Sequence, residues 1–567
     1  MYAELKQVWN TLTGPGGAFE VTTVDVRGFP TRTYANAPPS LREFWLASTQ
    51  FAERDYLVYE DQRWTYAEAH AEVAAIASWL VAQGIQPGDR VAIAMRNYPE
   101  YMLMYWAIVS VGAVVVGMNA WWIGPEMVYG IQDAEPKIIF IDQERLDRLL
   151  PHRSEVPDPV LVGVRLTGSA PAEVVSYEET VRTHQGTLPD VTIDPDSDAC
   201  IFYTSGTTGR PKGAQQTHRG CVANVMNLAF WATCAAQVGV LTGKVDPKDL
   251  ENPPPSVSLV TTPLFHVTAN NCAAQGATLS GGKLVLMYKW DAGKALDHIE
   301  QEGVTAMSGV PTMARELLNH PDFPNRDTSS LLSLGGGGAQ LQPDLVGRIE
   351  EKVATARPST GYGMTETCGI ITAISGDFFV DRPESCGPLM PTFEVKILDD
   401  EGNEVPRGSI GEMCVRGAPV IRGYLNRPDA TAESIVDGFL KTGDVARLDE
   451  DGFVYIVDRK KDMVIRGGEN VYCAEVETAL FSHDAIAECV VFGVPDERLG
   501  EEVGACVVLK PGASVDAEGL RAHCATQISK HKVPRHIWLR EDALPRNANG
   551  KFLKRELRDA LSVSDAA

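Results

Sequence analysis

The sequence of 567 residues lacks the cysteine and histidine patterns of zinc sites and disulfide-bonded proteins. Its eleven cysteines start at Cys200 and are scattered singly, without a C-x-x-C pair, and no H-E-x-x-H is present. A zinc site therefore has little support. The odd number and irregular spacing of the cysteines are typical of reduced, mostly buried thiols. We therefore expect a reducing compartment and a cytoplasmic localisation.

Positive charge is also scarce. There are 51 lysines and arginines against 75 aspartates and glutamates, which gives a formal net charge of −24. Nucleic acids and anionic membranes are themselves negative, so this excess disfavours both as general partners. A local basic site can still bind an anionic substrate. We expect no nucleic-acid partner.

We also expect no secretory signal, because residues 1–6 carry charges of both signs and lack an apolar h-region. One stretch, residues 102–123, is nearly all apolar and long enough to span a bilayer. It contains Ser110 and Gly112 and changes from a helix-like pattern to a β-branched run at residues 114–116. This favours a buried helix followed by a buried strand over a transmembrane span. We therefore expect no stable membrane insertion.

The length of the chain indicates more than one domain, because a single hydrophobic core rarely supports so many residues. From about residue 40, helical patterns such as residues 66–83 alternate with short apolar strands such as residues 89–95. This alternation predicts an α/β fold with parallel sheets covered by helices. From about Ser385, strands at residues 394–398 and 411–416 predict a small antiparallel unit resembling a β-barrel.

A cluster of charged residues at positions 458–462 follows a predicted strand at residues 453–457. The chain beyond it has its own pattern of helices and strands. We therefore predict an N-terminal domain at residues 1–457, a hinge at 458–461 and a smaller α+β C-terminal domain at 462–567.

A string rich in glycine and hydroxyl groups follows the apolar strand at residues 199–203. Glycines let the backbone approach a ligand, hydroxyls donate hydrogen bonds to phosphate oxygens, and a lysine adds positive charge. The string therefore suits a triphosphate, with a flexible turn as the alternative. It is not a Walker loop, since Lys212 is followed by Gly213. The candidate phosphate-binding residues are Thr204, Ser205, Gly206, Thr207, Thr208, Gly209 and Lys212.

Residues 203–214 resemble the phosphate-loop signature of the adenylate-forming superfamily, which includes acyl- and aryl-CoA synthetases, firefly luciferase and the adenylation domains of peptide synthetases. Further matches follow in the family's order as far as Lys551, so the resemblance covers nearly the whole chain. It implies that ATP activates a carboxylic acid as an acyl-adenylate and that coenzyme A then accepts the acyl group. ATP, Mg²⁺ and coenzyme A are the implied cofactors, and the C-terminal domain is implied to be mobile.

The second match, at residues 361–367, begins with Gly361, Tyr362, Gly363 and Met364. A glutamate stands where a dinucleotide G-x-G-x-x-G motif needs its third glycine. The resemblance implies that the aromatic ring lies against adenine, Thr365 contacts the α-phosphate and Glu366 binds Mg²⁺. A carboxylate is a suitable hard ligand for Mg²⁺ between phosphates. Without its neighbours, Glu366 would be interpreted as an acid at a helix N-terminus.

Two further matches complete the predicted nucleotide site. Residues 441–444 imply that Asp444 accepts the ribose hydroxyls, with Arg459 as a second ribose contact. Residues 545–551 imply that Lys551 is the adenylation lysine. A carboxylate attacking the α-phosphate brings two anions together, and a cation between them lowers that repulsion. Outside this Gly-, Asn- and Pro-containing turn, Lys551 would be interpreted as a solvated surface lysine.

The resemblance also implies a hinge at Lys461, about which the C-terminal domain swings between an adenylating and a thioester-forming pose. Taken alone, Lys461 would be an exposed linker residue. In the second pose the turn at residues 466–470 would face the active site, where its glycines leave room for the pantetheine arm. The candidate residues of this turn are Gly467, Gly468 and Glu469. The thiol of coenzyme A attacks the adenylate directly, so no catalytic cysteine is assigned.

Three segments are candidates for the acyl pocket. His266 resembles the residue beside the substrate carboxylate, with a satisfied core histidine as the alternative. Residues 335–340 match a segment that lines the adenine and acyl pockets, and little side-chain bulk there permits a long or wide acyl group. The candidates in this segment are Gly336, Gly337, Gly338 and Ala339. Analogy of position adds Asn227, Trp231, Ile370 and Ile371, although Trp231 is also interpreted as a core residue.

Together these matches predict an AMP-forming acyl-CoA synthetase for a small-molecule carboxylic acid. The pattern looks most like medium- and long-chain fatty acyl-CoA synthetases, and bulky alicyclic acids stay open. The alternatives are an aryl acid, such as a cinnamate, or acyl transfer to a carrier protein. A peptide-synthetase module is disfavoured, because no acid is placed to hold a substrate amine and we expect no carrier domain. A homodimer is a candidate assembly.

Overall fold

The computed structural model describes residues 1–204, 210–251, 254–338, 341–547 and 550–566. Two π-helical segments, Tyr177–Val181 and Thr268–Ala274, and several short 3₁₀ turns supplement the α-helices. In chain order the helices are α1 (Tyr2–Thr13), α2 (Leu41–Ala47), α3 (Tyr66–Ala82), α4 (Pro99–Ser110), α5 (Gly124–Ala134), α6 (Gln143–Leu149), α7 (His218–Leu241), α8 (Gln275–Leu279), α9 (Ala292–Glu302), α10 (Pro311–Asn319), α11 (Pro343–Lys352), α12 (Asp377–Asp381), α13 (Pro428–Ser434), α14 (Cys473–Phe481), α15 (Ala517–Ala525) and α16 (Lys554–Ala560).

Within the described ranges, the strands form four sheets and one two-stranded ribbon, which consists of β1 and β2. In chain order they are β1 (Val21–Val26), β2 (Phe29–Tyr34), β3 (Asp55–Tyr59), β4 (Gln62–Thr65), β5 (Arg90–Ala94), β6 (Val114–Gly117), β7 (Ile138–Asp142), β8 (Val160–Val164), β9 (Val174–Ser176), β10 (Asp198–Thr204), β11 (Lys212–Thr217), β12 (Val257–Val260), β13 (Lys283–Leu286), β14 (Ala306–Gly309), β15 (Ser333–Gly336), β16 (Arg357–Met364), β17 (Gly369–Ser375), β18 (Gly387–Pro388), β19 (Phe393–Leu398), β20 (Gly411–Gly417), β21 (Gly423–Tyr424), β22 (Ile435–Val436), β23 (Phe439–Leu448), β24 (Phe453–Arg459), β25 (Val464–Arg466), β26 (Glu469–Val471), β27 (Ile486–Asp496), β28 (Gly500–Leu509) and β29 (His536–Arg540).

The two largest sheets have eight strands each and are parallel at their centres. The strand order is β21-β11-β10-β6-β5-β7-β8-β9 in the first sheet and β17-β16-β15-β14-β12-β13-β3-β4 in the second. Antiparallel pairs lie toward the sheet ends, as in β10 with β11 and β16 with β17. Parallel strands buried on both faces are near-continuous apolar runs, which is the pattern of β6. The predicted α/β fold is confirmed.

Helix α4 lies at the centre of the core and contacts strands of both large sheets, β3 in the second and β5 and β6 in the first. Every one of its residues is buried. Strand β6 follows it and is buried along its whole length. The predicted buried helix followed by a buried strand is therefore confirmed for this apolar stretch.

Helix α7 is long and apolar enough to cross a membrane, yet 61% of its most apolar window is buried inside the protein. Part of its cover comes from the N-terminal segment, which the sequence patterns did not reveal. The rings of Trp9 in α1 and Phe230 in α7 meet edge to face, with centroids 4.7 Å apart. The Tyr34 hydroxyl, at the end of the β1–β2 ribbon, donates to the Asn227 Oδ1 at 2.7 Å. The first 35 residues therefore stabilise the outer side of α7.

The third sheet is antiparallel, with strand order β18-β24-β23-β20-β19 and β22 paired with β23. Strands β19 and β20 match the predicted pair. Strand β24 is two residues longer than predicted, because the ladder continues until Arg459 lies opposite Asp444. The predicted hinge segment, 458–461, thus begins inside a strand. Strand β21 lies between β20 and β22 in the chain, but it pairs with β11 at the edge of the first sheet, with Tyr424 opposite Ala214.

The fourth sheet belongs to the C-terminal part of the chain and has the order β26-β25-β28-β27, with β29 parallel to β28. With α14 and α15 it encloses a core of its own, which includes Val476, Leu480, Val491 and Leu520. The chain therefore has a large N-terminal domain of several sheets and a smaller C-terminal domain, as predicted. All eleven cysteines are unpaired and nine are buried, which agrees with the expectation of reduced, mostly buried thiols.

The central position of α4 makes a prediction for stability. Leu103 is fully buried in α4, so Leu103→Ala leaves a cavity and should lower the free energy of unfolding by about 2–5 kcal/mol. Leu241, at the end of α7, is 52% exposed, and Leu241→Ala should change it by less than about 0.5 kcal/mol. Urea unfolding followed by tryptophan fluorescence measures both variants. Equal midpoints would contradict the buried position of α4.

Candidate functional site

The predicted phosphate loop connects the antiparallel strands β10 and β11, in which Thr204 lies opposite Lys212. Two contacts fix the C-terminal end of the loop. The Tyr129 hydroxyl donates to the Pro211 carbonyl at 2.7 Å, and the Lys212 Nζ lies 4.2 Å from the centre of the Tyr424 ring. Five of the candidate residues lie outside the described residues, namely Ser205, Gly206, Thr207, Thr208 and Gly209.

Glu366 lies in a single 3₁₀ turn, Thr365–Thr367, directly after strand β16. Its side chain is buried, and the Tyr424 hydroxyl donates to its Oε1 at 2.9 Å. Burial raises the pKa of Glu366 above its usual value, while Tyr424, Lys212 and Arg459 act in the opposite direction. The turn therefore holds a desolvated acid, and a nearby cation would favour its ionised form.

The donor set around Glu366 fits Mg²⁺ carried by a nucleotide. In the described ranges, no three side chains of aspartate, glutamate, histidine or cysteine converge to form a metal cage. Mg²⁺ commonly binds through one or two carboxylates together with substrate phosphates and water. Glu366 supplies such a carboxylate close to Lys212 at the phosphate loop. These residues could therefore bind a Mg²⁺ ion whose other ligands are mainly phosphate oxygens.

The predicted ribose contact Asp444 is buried and forms a direct contact with the predicted adenine contact. The Tyr362 hydroxyl, in β16, donates to the Asp444 Oδ2 at 2.5 Å. The Arg459 Nε lies 3.4 Å from the Asp444 Oδ1, and the backbone N–H of Asp444 donates to the Thr442 hydroxyl at 3.1 Å. Burial raises the pKa of Asp444, and Arg459 and Tyr362 partly offset that effect. The neighbouring Gly361, Gly363 and Met364 also belong to β16.

Lys551 reaches this cluster from the C-terminal domain. A Cβ atom placed on Gly338 would lie 3.7 Å from the Lys551 Cε. Burial, followed by the charge of Arg459, lowers the pKa of Lys551 from 10.5 to about 8, while Asp444 and Glu366 act in the opposite direction. The structure therefore brings the predicted lysine, both predicted acids and the predicted arginine within electrostatic reach of one another.

The turn that carries Lys551 is held on both sides. The Asn547 backbone N–H donates to the Lys551 carbonyl at 2.8 Å, and the Lys551 N–H donates to the Asn547 Oδ1 at 3.0 Å. Arg546 pairs with Glu488 at 2.7 Å within the C-terminal domain and donates to the Thr312 hydroxyl of the N-terminal domain at 3.3 Å. These contacts orient the lysine toward the N-terminal domain.

His266 lies near Lys551 and is neutral. Burial, and then the charge of Lys551, lower the pKa of His266 to about 3. Its Nε2 atom is buried and has no hydrogen-bond partner in the part of the chain that the structure describes. His266 is therefore not fully hydrogen-bonded within the described residues, and its place beside a substrate carboxylate stays a prediction. A neutral imidazole with a buried, unused nitrogen can form a hydrogen bond to a ligand carboxylate.

Two candidate glycines pack closely against neighbouring residues. A Cβ on Gly337 would lie 3.3 Å from the Thr268 Cγ2, and a Cβ on Gly361 would lie 3.2 Å from the Ile370 Cγ2. Larger side chains at these two positions would therefore press on Thr268 and Ile370. Gly336 is buried in β15, and Ala339 lies outside the described residues.

The remaining pocket candidates have partners in the folded protein. Asn227 accepts from Tyr34 and donates to the Thr392 hydroxyl at 2.9 Å. The Trp231 Nε1 donates to the Ser375 hydroxyl at 3.0 Å. Both side chains are buried, which agrees with the alternative core interpretation of Trp231. Ile370 and Ile371 are buried in β17.

The predicted hinge and turn lie at the surface. Lys461 is exposed just beyond β24, and Gly467, Gly468 and Glu469 are exposed in the β25–β26 hairpin. In the described residues no hydrogen bond or ion pair connects this hairpin with Glu366, Asp444 or Lys551. The structure thus places Lys551, the predicted adenylation lysine, beside the nucleotide residues. The predicted coenzyme A turn, residues 466–470, lies away from them.

Sequence reasoning missed several residues that support the site. Tyr424 binds Glu366 and lies over Lys212, Tyr129 anchors the phosphate loop, and Thr442 holds the backbone of Asp444. These residues are far from their partners in the chain or lack a recognisable spacing. No sequence pattern indicated that the short strand Gly423–Tyr424 would pair with the first sheet.

Two family models match the sequence. The model described as AMP-binding enzyme matches residues 44–425, and the model described as AMP-binding enzyme C-terminal domain matches residues 475–551. The first match covers more than half of the chain and contains the phosphate loop, His266 and Glu366. The second match ends at Lys551. The two matches therefore include the main residues of the cluster except Asp444 and Arg459.

Several known proteins are similar to this chain along most of its length. A feruloyl-CoA synthase of Amycolatopsis sp is 35% identical over 497 residues, which is 87% of this chain and 93% of that protein. A long-chain-fatty-acid–CoA ligase of Bacillus subtilis (strain 168) is 32% identical over 543 residues, covering 90% and 92%. The crystal structure of ATP-bound MatB from Rhodopseudomonas palustris has a TM-score of 0.79 at 30% identity, covering 92% and 98%.

The charged cluster makes a prediction for the titration of Lys551. Its amine should titrate near pH 8 instead of 10.5, so the cation predominates below that pH and is lost above it. NMR of ¹³C-dimethylated lysines measures this value, and Lys551→Arg assigns the signal by removing it. Asp444→Asn should lower the pKa further, because the carboxylate favours the cation. A Lys551 signal that titrates near 10.5 would contradict the buried position of its amine.

Proposed function

This chain belongs to the AMP-binding enzyme family and is an AMP-forming acid–CoA ligase, and we propose that its acid carries a large hydrophobic acyl group, either a medium or long chain or a ring system. ATP and coenzyme A are its cosubstrates. The observation that carries the proposed active site is the convergence of Lys551 with Glu366, Asp444 and Arg459 beside a neutral His266. Glu366, Asp444 and Arg459 can bind a nucleotide. Lys551 supplies a cation next to His266, which can bind the substrate carboxylate.

The proposed nucleotide contacts start from Tyr362 and Arg459, which both already contact Asp444. Asp444 and Arg459 hold the ribose hydroxyls, and the ring of Tyr362 lies against adenine. Lys212 and the phosphate loop bind the outer phosphates, while Thr365 contacts the innermost one. Binding a nucleotide here exchanges the hydrogen bond between Tyr362 and Asp444 for contacts with the ligand. Mg²⁺ bound at Glu366 would supply positive charge to the phosphate oxygens.

Lys551 acts in the first proposed step, in which the acid's carboxylate oxygen attacks the α-phosphorus and pyrophosphate leaves. Two anions approach each other there, so a buried cation lowers the repulsion and stabilises the charge that develops. His266 donates a hydrogen bond from its unused nitrogen and orients the carboxylate. Because its pKa is about 3, the imidazole stays neutral and leaves the cationic role to the lysine.

The acid class rests on the relatives and on the residue types of the candidate pocket segments. Gly337 and Gly361 add no side chain next to Thr268 and Ile370, and Ile370 is a buried apolar residue. Small and apolar residues of this kind suit extended chains and ring systems. The long-chain ligase supports a fatty acid, whereas the feruloyl-CoA synthase supports the second candidate, an aryl acid of the cinnamate type. Acyl transfer to a carrier protein is the alternative to transfer to coenzyme A.

The proposed domain division keeps the boundaries 1–457, 458–461 and 462–567, with Lys461 as the hinge of a mobile C-terminal domain. Its support is local. The backbone N–H of Lys460 still donates to the Gly443 carbonyl at 2.9 Å, so the ladder ends one residue before Lys461. In the second pose Gly467, Gly468 and Glu469 would replace the Lys551 turn at the active site. Unpaired cysteines support a cytoplasmic protein.

Pyrophosphate and AMP release test the proposed function directly. The purified protein is given ATP, Mg²⁺ and coenzyme A with matched sets of aliphatic, aromatic and alicyclic acids. We expect CoA-dependent AMP formation and a thioester product with large hydrophobic acids, and weak activity with acetate. A best substrate that is small and polar would contradict the proposed acid class. If no acid releases pyrophosphate, the assignment itself is wrong.

The hinge makes a separate prediction. Lys461→Pro restricts rotation at one backbone position, so it should preserve pyrophosphate release and slow thioester formation. Lys551→Ala is the reciprocal control, because it should abolish adenylation and still convert a supplied acyl-adenylate to thioester. Single-turnover assays of the two half-reactions separate these effects. An unchanged thioester step in Lys461→Pro would exclude Lys461 as the hinge.

A further inference from the structure

Three buried amide side chains surround the segment that carries Glu366. The Gln216 Nε2 donates to the Thr365 carbonyl at 2.8 Å, the Asn271 Nδ2 donates to the Cys368 carbonyl at 2.9 Å, and the Asn224 Oδ1 accepts from the Ile370 N–H at 2.9 Å. All three side chains are fully buried. We name Gln216, Asn224 and Asn271 the amide brace.

The members of the amide brace also bind one another. The Asn271 Nδ2 donates to the Gln216 Oε1 at 2.9 Å, and the Asn224 Nδ2 donates to the Asn271 carbonyl at 3.1 Å. Each residue comes from a different element, namely β11, α7 and the π-helical segment Thr268–Ala274. Buried amides that satisfy one another in this way form a rigid network.

The braced segment needs such support, because its backbone reverses sharply after Glu366. Cys368 has a φ of +53° and Gly369 a φ of +141°. A left-handed conformation is costly for a cysteine and persists only where the surroundings enforce it. A Cβ on Gly369 would lie 2.2 Å from the Asn224 Oδ1, so the brace touches the backbone at the reversal itself.

Asn271 also lies in the segment that begins at His266 and continues through the π-helical residues Thr268–Ala274, which we name the His266 wall. The His266 carbonyl accepts the Asn270 N–H at 3.0 Å, and the Val267 carbonyl accepts the Asn271 N–H at 2.9 Å. The amide of Asn271 then crosses to Gln216 and Cys368. One side chain therefore connects the segment beside the acid's carboxylate with the segment that carries the phosphate and metal contacts.

We propose that Asn271 is a positioning residue for adenylation, which fixes the Glu366 turn in register with the His266 wall through its two donated hydrogen bonds. The inference rests on the proposed function. Attack on the α-phosphorus requires the carboxylate and the phosphate to meet within a few tenths of an ångström, and about 1 Å of displacement costs roughly 100-fold in rate. The thioester step follows the departure of pyrophosphate, so it depends less on the Glu366 turn.

Asn271→Asp tests this role with little change of shape. A carboxylate cannot donate, and it would face the Gln216 Oε1 and the Cys368 carbonyl, which are both acceptors. Asn224→Asp is the matched control. It is equally buried and adds the same charge. It loses the bond that its Nδ2 donates to the Asn271 carbonyl, but it keeps its bond to the Glu366 segment, which it accepts from the Ile370 N–H.

The two half-reactions are measured separately with the best acid from the substrate panel. For Asn271→Asp we expect kcat for pyrophosphate release to fall about 100-fold with a nearly unchanged KM, since the loss concerns the transition state. Conversion of supplied acyl-adenylate to thioester should stay close to wild type. Asn224→Asp should lose far less of the first step.

Circular dichroism and the amplitude of the adenylation burst show how much of each variant is folded. If Asn271→Asp does not fold, Gln216→Met, which removes the bond to the Thr365 carbonyl without adding charge, should show the same split. An unchanged kcat, equal loss of both half-reactions, or an equal loss in Asn224→Asp would overturn the inference. A wild type that releases no pyrophosphate would instead overturn the proposed function, and the inference with it.

Discussion

The site depends on buried charged groups whose loss of hydration is only partly offset by neighbouring charges and hydrogen bonds. Glu366 and Asp444 are buried acids whose pKa values are raised, and Lys551 is a buried base whose pKa is lowered. Desolvation disfavours the charged form of each group. A bound nucleotide with its cation supplies the opposite charges at the same positions. The binding energy of the ligand can therefore be used to complete an arrangement that the protein alone leaves unfavourable.

This constraint explains why the supporting residues are mostly neutral. Tyr424, Tyr362, Thr442 and the amide brace fix positions through hydrogen bonds and add no competing charge. A lysine or arginine in their place would neutralise the acids permanently and weaken the attraction for a nucleotide. The same logic separates His266 from Lys551, because a neutral imidazole orients a carboxylate while one nearby ammonium provides the cation.

Local patterns predicted much of this fold. The β-branched run of β6 and the apolar residues of α4 depend on neighbours in the chain, and both were found where expected. The nucleotide residues were found through contiguous strings such as 361–367. The amide brace and Tyr424 could not be predicted, because Gln216 meets Thr365 across 149 residues of chain and the sequence carries no mark of that contact. The extension of β24 to Arg459 was missed for a similar reason, since its partner Asp444 lies on another strand.

The N-terminal helix and ribbon have a consequence for protein engineering. They precede residue 44, where the family match begins, yet Trp9 packs on Phe230 and Tyr34 binds Asn227 on the helix that borders the proposed acyl pocket. A chimera that exchanges α7 with a relative's helix would leave these two contacts mismatched. Grafts intended to alter the accepted acid should therefore carry the first 35 residues together with α7 as one transferable unit.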